Sequence, residues 1–141
     1  MIEPTKFFAI AVTGGRHQGM IPDGDGGWKY HQPAVDVLLA DLEALWTLAG
    51  GTKRDPVPVM LNGACPRGLD ALAKWWAEER GYYVRLFIPN WDRDGKAAGP
   101  LRNHAMIDEA DALVALPGGR GTADCVRRAE RKGIPIYRAL P

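Results

Sequence analysis

Glycine is concentrated in two segments of this 141-residue chain, each directly after an apolar stretch. The first is VTGGR (12–16), and the second is PGGRGT (117–122), which precedes a basic segment predicted to be helical. Glycine costs backbone entropy on folding and adds no side-chain packing, so two such segments need a physical reason. Either they are tight strand-to-helix turns, or they bind a ligand.

Phosphate binding is the chemistry that best fits such segments. Backbone N–H groups at a helix N-terminus attract anions, and glycine lets a phosphate approach them without a Cβ in the way. Thr122 is expected to cap the second helix and to offer its hydroxyl. Each segment alone is better explained as a turn, but two segments beside Arg16, Arg67 and Arg120 favour binding.

Two familiar phosphate-binding motifs are absent. The chain has no G-x-G-x-x-G after its first apolar stretch and no glycine loop that ends in Lys-Ser or Lys-Thr. The sequence therefore supports neither nicotinamide hydride transfer nor ATP hydrolysis, and no cofactor is expected.

Strand-like and helix-like periods alternate along the chain, which predicts one α/β domain over residues 1–141. We expect a Rossmann-like three-layer fold with a parallel five-stranded sheet and helices on both faces. The expected strands are 7–12, 57–61, 83–88, 111–116 and 134–137, and the expected helices are 33–49, 69–80, 100–110 and 124–132. Right-handed crossovers then give the strand order 3-2-1-4-5, in which ligands bind between the first and fourth strands at their carboxyl ends.

Other polar residues are expected at the same edge of the sheet. Arg102 and Asn103, in the first turn of the third helix, suit phosphate and ribose or base contacts, but a helix-terminal hydrogen bond or a solvated charge explains them equally well. Asp70 and Asp124 could accept hydrogen bonds from ribose hydroxyls, or could simply oppose a helix dipole. The segment after the second strand, 62–68, contributes Gly63, Arg67 and Gly68.

Trp91 and Cys125 each allow two interpretations. Trp91 could stack on a base, although a tryptophan in such a loop more often pins the loop to the domain. Cys125 could be a thiolate activated by a helix N-terminus, but a small buried cysteine is the more common outcome. Trp75 lies one position off the apolar stripe of its helix and could mark a subunit contact.

Composition excludes several classes of protein. A net charge of +1 is nearly balanced, so the sequence does not indicate binding to duplex nucleic acid. Two cysteines and three scattered histidines lack the spacing of a metal site, so no metal is expected. The apolar stretch 7–12 is too short to span a membrane and has no signal-peptide layout, so we expect a cytoplasmic protein without a membrane partner.

The chain resembles the SLOG superfamily of Rossmann-like nucleotide-binding proteins, and within it the YspA-like branch. The stretches that carry the resemblance are VTGGR (12–16), NGACPRGLDALAKWWA (62–77), PNWDRDGKAAGPLRN (89–103) and DALVALPGGRGTADCVRRAERKGIP (111–135). The resemblance implies a nucleotide or nucleotide-derived ligand, such as a nucleoside phosphate or an ADP-ribose-like molecule, and a possible homodimer. LOG-type phosphoribohydrolases and DNA-processing protein A are more distantly similar.

The chain departs from the hydrolase branch of that superfamily at two places. The pattern P-G-G-x-G-T-x-x-E holds from Pro117 through Thr122, but Cys125 stands at the glutamate position. The segment 17–31 is longer than that branch usually shows, and is either a lid over the ligand or an idle surface loop.

Three functions follow as hypotheses. The first is a sensor or carrier that binds the nucleotide, and the second is a phosphoribohydrolase that cleaves an N-glycosidic bond with Asp124 and Arg102 as catalytic residues. The third is a single-stranded DNA-binding module with Trp91 as a stacking platform. The predicted ligand-binding residues are Gly14, Gly15, Arg16, Gly63, Arg67, Gly68, Asp70, Trp91, Arg102, Asn103, Pro117, Gly118, Gly119, Arg120, Gly121 and Thr122.

Overall fold

A computed structural model of the chain describes residues 6–139. Within this range the strands are β1 Phe7–Thr13, β2 Met20–Pro22, β3 Trp28–Tyr30, β4 Val57–Asn62, β5 Tyr83–Leu86, β6 Ala112–Ala115 and β7 Ile136–Arg138. The helices are α1 Gln32–Leu48, α2 Leu69–Glu79, α3 Trp91–Asp94, α4 Ala98–Glu109 and α5 Arg120–Lys132, and a short 3-10 helix covers Gly95–Ala97.

Five of the strands form one parallel sheet in the order β5-β4-β1-β6-β7. Counted among themselves in chain order, these strands have the predicted order 3-2-1-4-5. Strands β2 and β3 were not predicted; they form a separate antiparallel hairpin and shift the numbering of the later strands. Val12 in the central strand lies beside Asn62 on one side and Val114 on the other, so the carboxyl ends of β1, β4 and β6 share one edge.

The sheet separates two apolar cores, as a three-layer fold requires. Ile10 and Val12 of β1 pack with the buried indoles of Trp46 and Trp76 under α1 and α2. The intervening Ala11 faces the other core, which lies under α4 and α5. This alternation explains why a continuously apolar stretch forms a central strand that is buried on both faces. No helix within residues 6–139 is long and apolar enough to cross a membrane.

The predicted element boundaries are wrong in three segments near the carboxyl edge of the sheet. The segment 17–31 contains the hairpin, whose turn is closed by Asp23 accepting hydrogen bonds from the N–H groups of Asp25 and Gly27. The segment 89–99, predicted as a connection, contains α3 and the 3-10 helix, so that α4 begins at Ala98 rather than Pro100. Helix α5 begins at Arg120 rather than Asp124, and its first turn was not predicted because Gly121 has a low helix propensity.

Candidate functional site

The two glycine segments meet directly at the carboxyl ends of β1 and β6. The N–H of Gly15 donates to the carbonyl of Pro117 at 2.9 Å, and the carbonyl of Gly15 accepts from the N–H of Leu69, the first residue of α2, at 3.1 Å. The loops after β1, β4 and β6 are therefore joined through the backbone of a single residue, Gly15. The predicted meeting of the glycine segments is confirmed by these bonds.

Several glycines are required by close packing between these loops. A Cβ at Gly68, whose φ is +71°, would lie 2.3 Å from the backbone carbonyl of Arg16. A Cβ at Gly118 would lie 2.2 Å from Oγ1 of Thr122, and one at Gly14 would lie 2.6 Å from the side chain of Leu69. The turn interpretation thus accounts for these positions without a ligand.

Gly119 and Gly121 are different, because a Cβ added at either position would meet no atom within 4 Å. Neither residue has a positive φ that would favour glycine. Gly119 is the N-cap of α5 and supplies no side-chain cap. Within the described range, the backbone N–H groups of residues 118–122 make no hydrogen bond to protein atoms. Neither tight packing nor backbone strain requires glycine at these two positions.

Thr122 does not cap α5, contrary to the sequence prediction. The helix begins two residues earlier, so Thr122 lies in its first turn, where its side-chain Oγ1 accepts a 3.5 Å hydrogen bond from Oγ1 of Thr13. The prediction placed the helix start too late and so assigned the wrong role to the hydroxyl.

The free N–H groups open into a cavity of about 600 Å³, within the range of small-molecule sites. We refer to it as the glycine-loop cavity. Its lining residues are Val12, Thr13, Gly14, Gly15, Arg16, His17, Gln18, Gly63, Cys65, Asp70, Arg102, Asn103, Met106, Pro117, Gly118, Gly119, Arg120, Gly121 and Thr122. Six of these residues were not predicted as site residues: Val12, Thr13, His17, Gln18, Cys65 and Met106.

A second cavity of about 550 Å³ lies next to the first, and we refer to it as the Trp91 cavity. It contains three predicted site residues that do not line the glycine-loop cavity, namely Arg67, Trp91 and Asp124. Its lining residues are Arg16, Ala64, Cys65, Pro66, Arg67, Pro89, Trp91, Gly99, Pro100, Arg102, Asn103, Arg120, Gly121, Asp124 and Arg127. Gly68 lines neither cavity and acts only in the packing of the loops.

A hydrogen-bonded network forms the wall between the cavities. Arg102 donates from Nη1 to the carbonyl of Gly63 and from Nε to Oδ1 of Asn103 at 2.8 Å. Asn103 in turn donates to Oδ2 of Asp124 at 3.0 Å and to the carbonyl of Gly121 at 3.3 Å. Because α4 begins at Ala98, these two side chains lie in its second turn rather than its first. The amide of Asn103 is thus engaged by protein atoms on both its oxygen and its nitrogen.

The two candidate carboxylates occupy different environments. Asp70 is 9% exposed, faces the glycine-loop cavity and accepts a hydrogen bond from the N–H of Cys65. Burial raises the pKa of Asp70, against the opposing effects of that hydrogen bond and of the charge of Arg102. Asp124 lines only the Trp91 cavity. Although partial burial opposes it, hydrogen bonds from Arg128 and Asn103 hold the pKa of Asp124 below its ordinary value.

Cys125, at the position where the resemblance expects a glutamate, is buried with 1% of its surface exposed. Burial raises the pKa of its thiol to about 11, so the side chain stays neutral at physiological pH. The structure therefore agrees with a packed cysteine and not with an activated thiolate.

The hairpin in segment 17–31 is attached to the rim of the site. The imidazole of His17 stacks on the indole of Trp28 with centroids 4.1 Å apart, and the hydroxyl of Tyr30 accepts a 3.0 Å hydrogen bond from the N–H of Gly68. Nε2 of His17 is shielded from solvent and has no hydrogen-bond partner among residues 6–139. Desolvation, then the charges of Arg67 and Arg16, lower the pKa of His17. The aromatic residues within a glycine-rich segment were the sequence signal for this attachment.

Comparisons with known proteins show both a relative and a shared fold. The gene 61 protein of Mycobacterium phage D29 is 36% identical over 105 residues, which cover 68% of this chain and 84% of that protein. The crystal structure of TM1055, a structural genomics target, superposes with a TM-score of 0.62 at 21% identity, covering 92% of this chain and 72% of that one. No family model matches the chain. The Rossmann-like α/β fold predicted from the sequence is thereby confirmed.

The contact of Gly68 with Arg16 makes a testable contribution to stability. Gly68→Ala and Gly81→Ala both place alanine at a positive φ, but a Cβ at Gly81 meets no atom within 4 Å. We expect Gly81→Ala to cost about 1 kcal/mol of unfolding free energy from backbone strain alone. Gly68→Ala should cost clearly more, because the loop backbones must separate. Urea denaturation of both variants measures the difference, and equal losses would contradict the close packing.

We expect Asp124 and Asp70 to change the pH dependence of the unfolding free energy in opposite directions. The folded-state pKa of Asp124 is lowered, so its contribution is present at neutral pH and is lost as the pH falls through that pKa. The folded-state pKa of Asp70 is raised, so its contribution is present in acid and is lost as the pH rises through that pKa.

We therefore expect Asp124→Asn to destabilise the protein at neutral pH and to converge with the wild type in acid. Asp70→Asn should lose stability relative to the wild type in acid and regain it as the pH rises. Unfolding free energies measured across this pH range provide the test. If the unfolding free energy of each variant differed from that of the wild type by the same amount at every pH, these descriptions of the two carboxylates would be wrong.

Proposed function

The chain belongs to the same family as the gene 61 protein of Mycobacterium phage D29, and we propose that it binds a nucleotide or nucleotide-derived ligand as a sensor or carrier. The observation that carries the proposal is the start of α5. There, the unbonded N–H groups of residues 118–122 face a cavity of about 600 Å³, with open space at Gly119 and Gly121. Such N–H groups, reinforced by the helix dipole, suit a phosphate.

The charges around the glycine-loop cavity support an anionic ligand. Arg16 and Arg120 are exposed at its rim, and Arg102 is fixed on its wall. Asp70 is the one carboxylate among the lining residues, and it lies beside Arg102. The unpartnered Nε2 of His17 adds a polar atom that a bound ligand could satisfy. The arginines suit the phosphate of a nucleotide, and the few other polar groups suit the hydroxyls of an attached ribose.

We also propose that the family is a YspA-like branch of the SLOG superfamily. Support comes from the placement of the four stretches that carry the resemblance. They contain every residue that lines the Trp91 cavity and all but His17, Gln18 and Met106 of those that line the glycine-loop cavity. If the resemblance reflected only the core strands, the four stretches would not contain nearly all of the residues that line the two cavities.

Replacing Gly119 with leucine tests the phosphate position. The added side chain meets no protein atom within 4 Å at its Cβ, so folding should be unaffected, while the space for phosphate is lost. We expect at least about a tenfold loss of ADP affinity, the equivalent of about 1.4 kcal/mol, measured by calorimetry. Thermal denaturation should give the wild-type melting temperature.

The matched control is Ala123→Leu, which places the same leucine side chain in the first turn of α5 on a side that lines neither cavity. This variant should bind ADP as the wild type does. If Gly119→Leu bound ADP with unchanged affinity, or if the control lost as much ADP affinity, the phosphate would not bind at the start of α5.

Hydrolysis of an N-glycosidic bond is a second candidate, favoured by one observation: the buried carboxyl of Asp70 faces the glycine-loop cavity. Asp124 lines only the other cavity and is held by Arg128, so Asp70 is the better placed of the two beside a ribose. In this reaction Asp70 would stabilise an oxocarbenium-like ribose while water attacks the anomeric carbon, and the base would leave with a proton from water.

Release of free adenine from AMP tests this candidate. If the protein is a hydrolase, Asp70→Asn should lose nearly all base release, whereas Asp124→Asn should retain it. Chromatography of the products provides the measurement. Binding of AMP without base release in the wild type would reject the enzyme and leave the sensor or carrier function in place.

A further inference from the structure

The start of α5 lies where the two cavities meet. Arg120 and Gly121 line both of them, as do Arg16 and Arg102. A phosphate bound there would have the glycine-loop cavity on one side and the Trp91 cavity on the other. A phosphate monoester carries an organic group on one side only, so it would leave one cavity unfilled.

The two cavities differ in their lining. The glycine-loop cavity reaches buried parts of the core at Val12 and Met106, which are 1% and 2% exposed. The Trp91 cavity combines a tryptophan and prolines with a rim of arginines. A single ring in the glycine-loop cavity packs against these core residues, whereas a second ring would need the Trp91 cavity.

Trp91 has the properties of a stacking platform. The outer edge of its indole ring lies over Gly99 of α4, where an added Cβ would come within 3.5 Å of the ring. The residue is nevertheless 55% exposed. Pro66 and Pro100 provide apolar neighbours in the same cavity. A ring that is fixed on one side and open on the other loses little entropy when a base stacks on it.

The charges of the Trp91 cavity suit a further anionic group. Arg67 and Arg127 line this cavity and not the other. Its one carboxylate, Asp124, is paired with Arg128 at 2.9 Å and lies 3.7 Å from Arg127. The remaining guanidinium groups leave the cavity cationic, and arginine forms bidentate contacts with phosphate.

We propose that the ligand is a nucleotide whose phosphate or pyrophosphate is esterified on both sides, with one organic group in each cavity and an aromatic ring on Trp91. This inference rests on the proposed nucleotide binding and narrows it to linked nucleotides. Mononucleotides occupy the glycine-loop cavity alone, and Trp91 contributes nothing to their affinity.

The experiment compares ADP with NAD, which carries aromatic rings on both sides of its pyrophosphate, by calorimetry on the full chain. Stacking of one ring predicts that the wild type binds NAD about tenfold more tightly than ADP. Trp91→Leu should abolish this gain and leave the ADP affinity unchanged within about twofold. Trp91→Phe, which keeps an aromatic face, should retain most of the gain.

Four results would overturn the inference, and the last of them would also refute the proposed function. Equal affinities for ADP and NAD in the wild type would show that the second cavity is not used, and equal losses of both ligands in Trp91→Leu would place the single ring of ADP on Trp91. Tighter binding of a single-stranded oligonucleotide than of NAD, increasing with its length, would favour the DNA-binding alternative. In the first two cases ADP still binds the wild type, so nucleotide binding survives. Absence of binding by both ADP and NAD would instead refute the proposed function, and the inference with it.

Discussion

The backbone N–H and carbonyl of Gly15 hold the carboxyl edge of the sheet together. Its N–H is bonded to the loop after β6 and its carbonyl to the first residue of α2, and the carbonyl also accepts from the N–H of Gln18 at 3.2 Å. A Cβ at Gly15 would lie 3.3 Å from the Cα of Gly118, so the loops approach backbone to backbone. This contact fixes the relative positions of α2 and α5, on which the geometry of both cavities depends.

The start of α5 is left free because no side chain caps it. A helix can satisfy its first N–H groups with a side-chain cap or with water. Here the chain reaches α5 through Gly118 and Gly119, which have no side chain to act as a cap, and Thr122 lies too far into the helix to do so. Close packing of the loops requires glycine at Gly118 but not at Gly119, the N-cap itself. The free N–H groups therefore do not follow from how the loops pack.

The fold could be predicted from the sequence because its apolar periods are long and regular. The five strands of the parallel sheet and their order are confirmed, since a continuously apolar strand and amphipathic helices leave few alternatives. The hairpin was missed because strands of three residues carry too short a pattern to recognise. The start of α5 was wrong because glycine and threonine have low helix propensity, and only tertiary structure keeps them helical.

The site was harder to predict than the fold, because sequence position does not tell which cavity a side chain faces. The residues of segments 12–16 and 117–122 were found together as expected, whereas Arg67 and Trp91 line a separate cavity that no pattern indicated. Gly68 was predicted to contact ligand, yet its positive φ and its approach to Arg16 explain it fully. His17 stacks on Trp28 within the segment 17–31, and Tyr30 is bonded to Gly68 of another loop. The aromatic residues of this glycine-rich segment indicate that it packs on the domain, but they do not identify its partners.

The distribution of negative charge around the site follows from helix packing. The residue after Asp124 points into the core between α4 and α5, so its position favours a small neutral side chain, and Cys125 is one. A carboxylate there would be buried among Met106, Leu113 and Ala129, and would need a compensating partner. Asp124 itself turns toward Arg128, one helical turn further along, where its charge is neutralised. The unpaired negative charge nearest the glycine loops therefore comes from α2, through Asp70, and only the guanidinium of Arg102 and the N–H of Cys65 offset its burial.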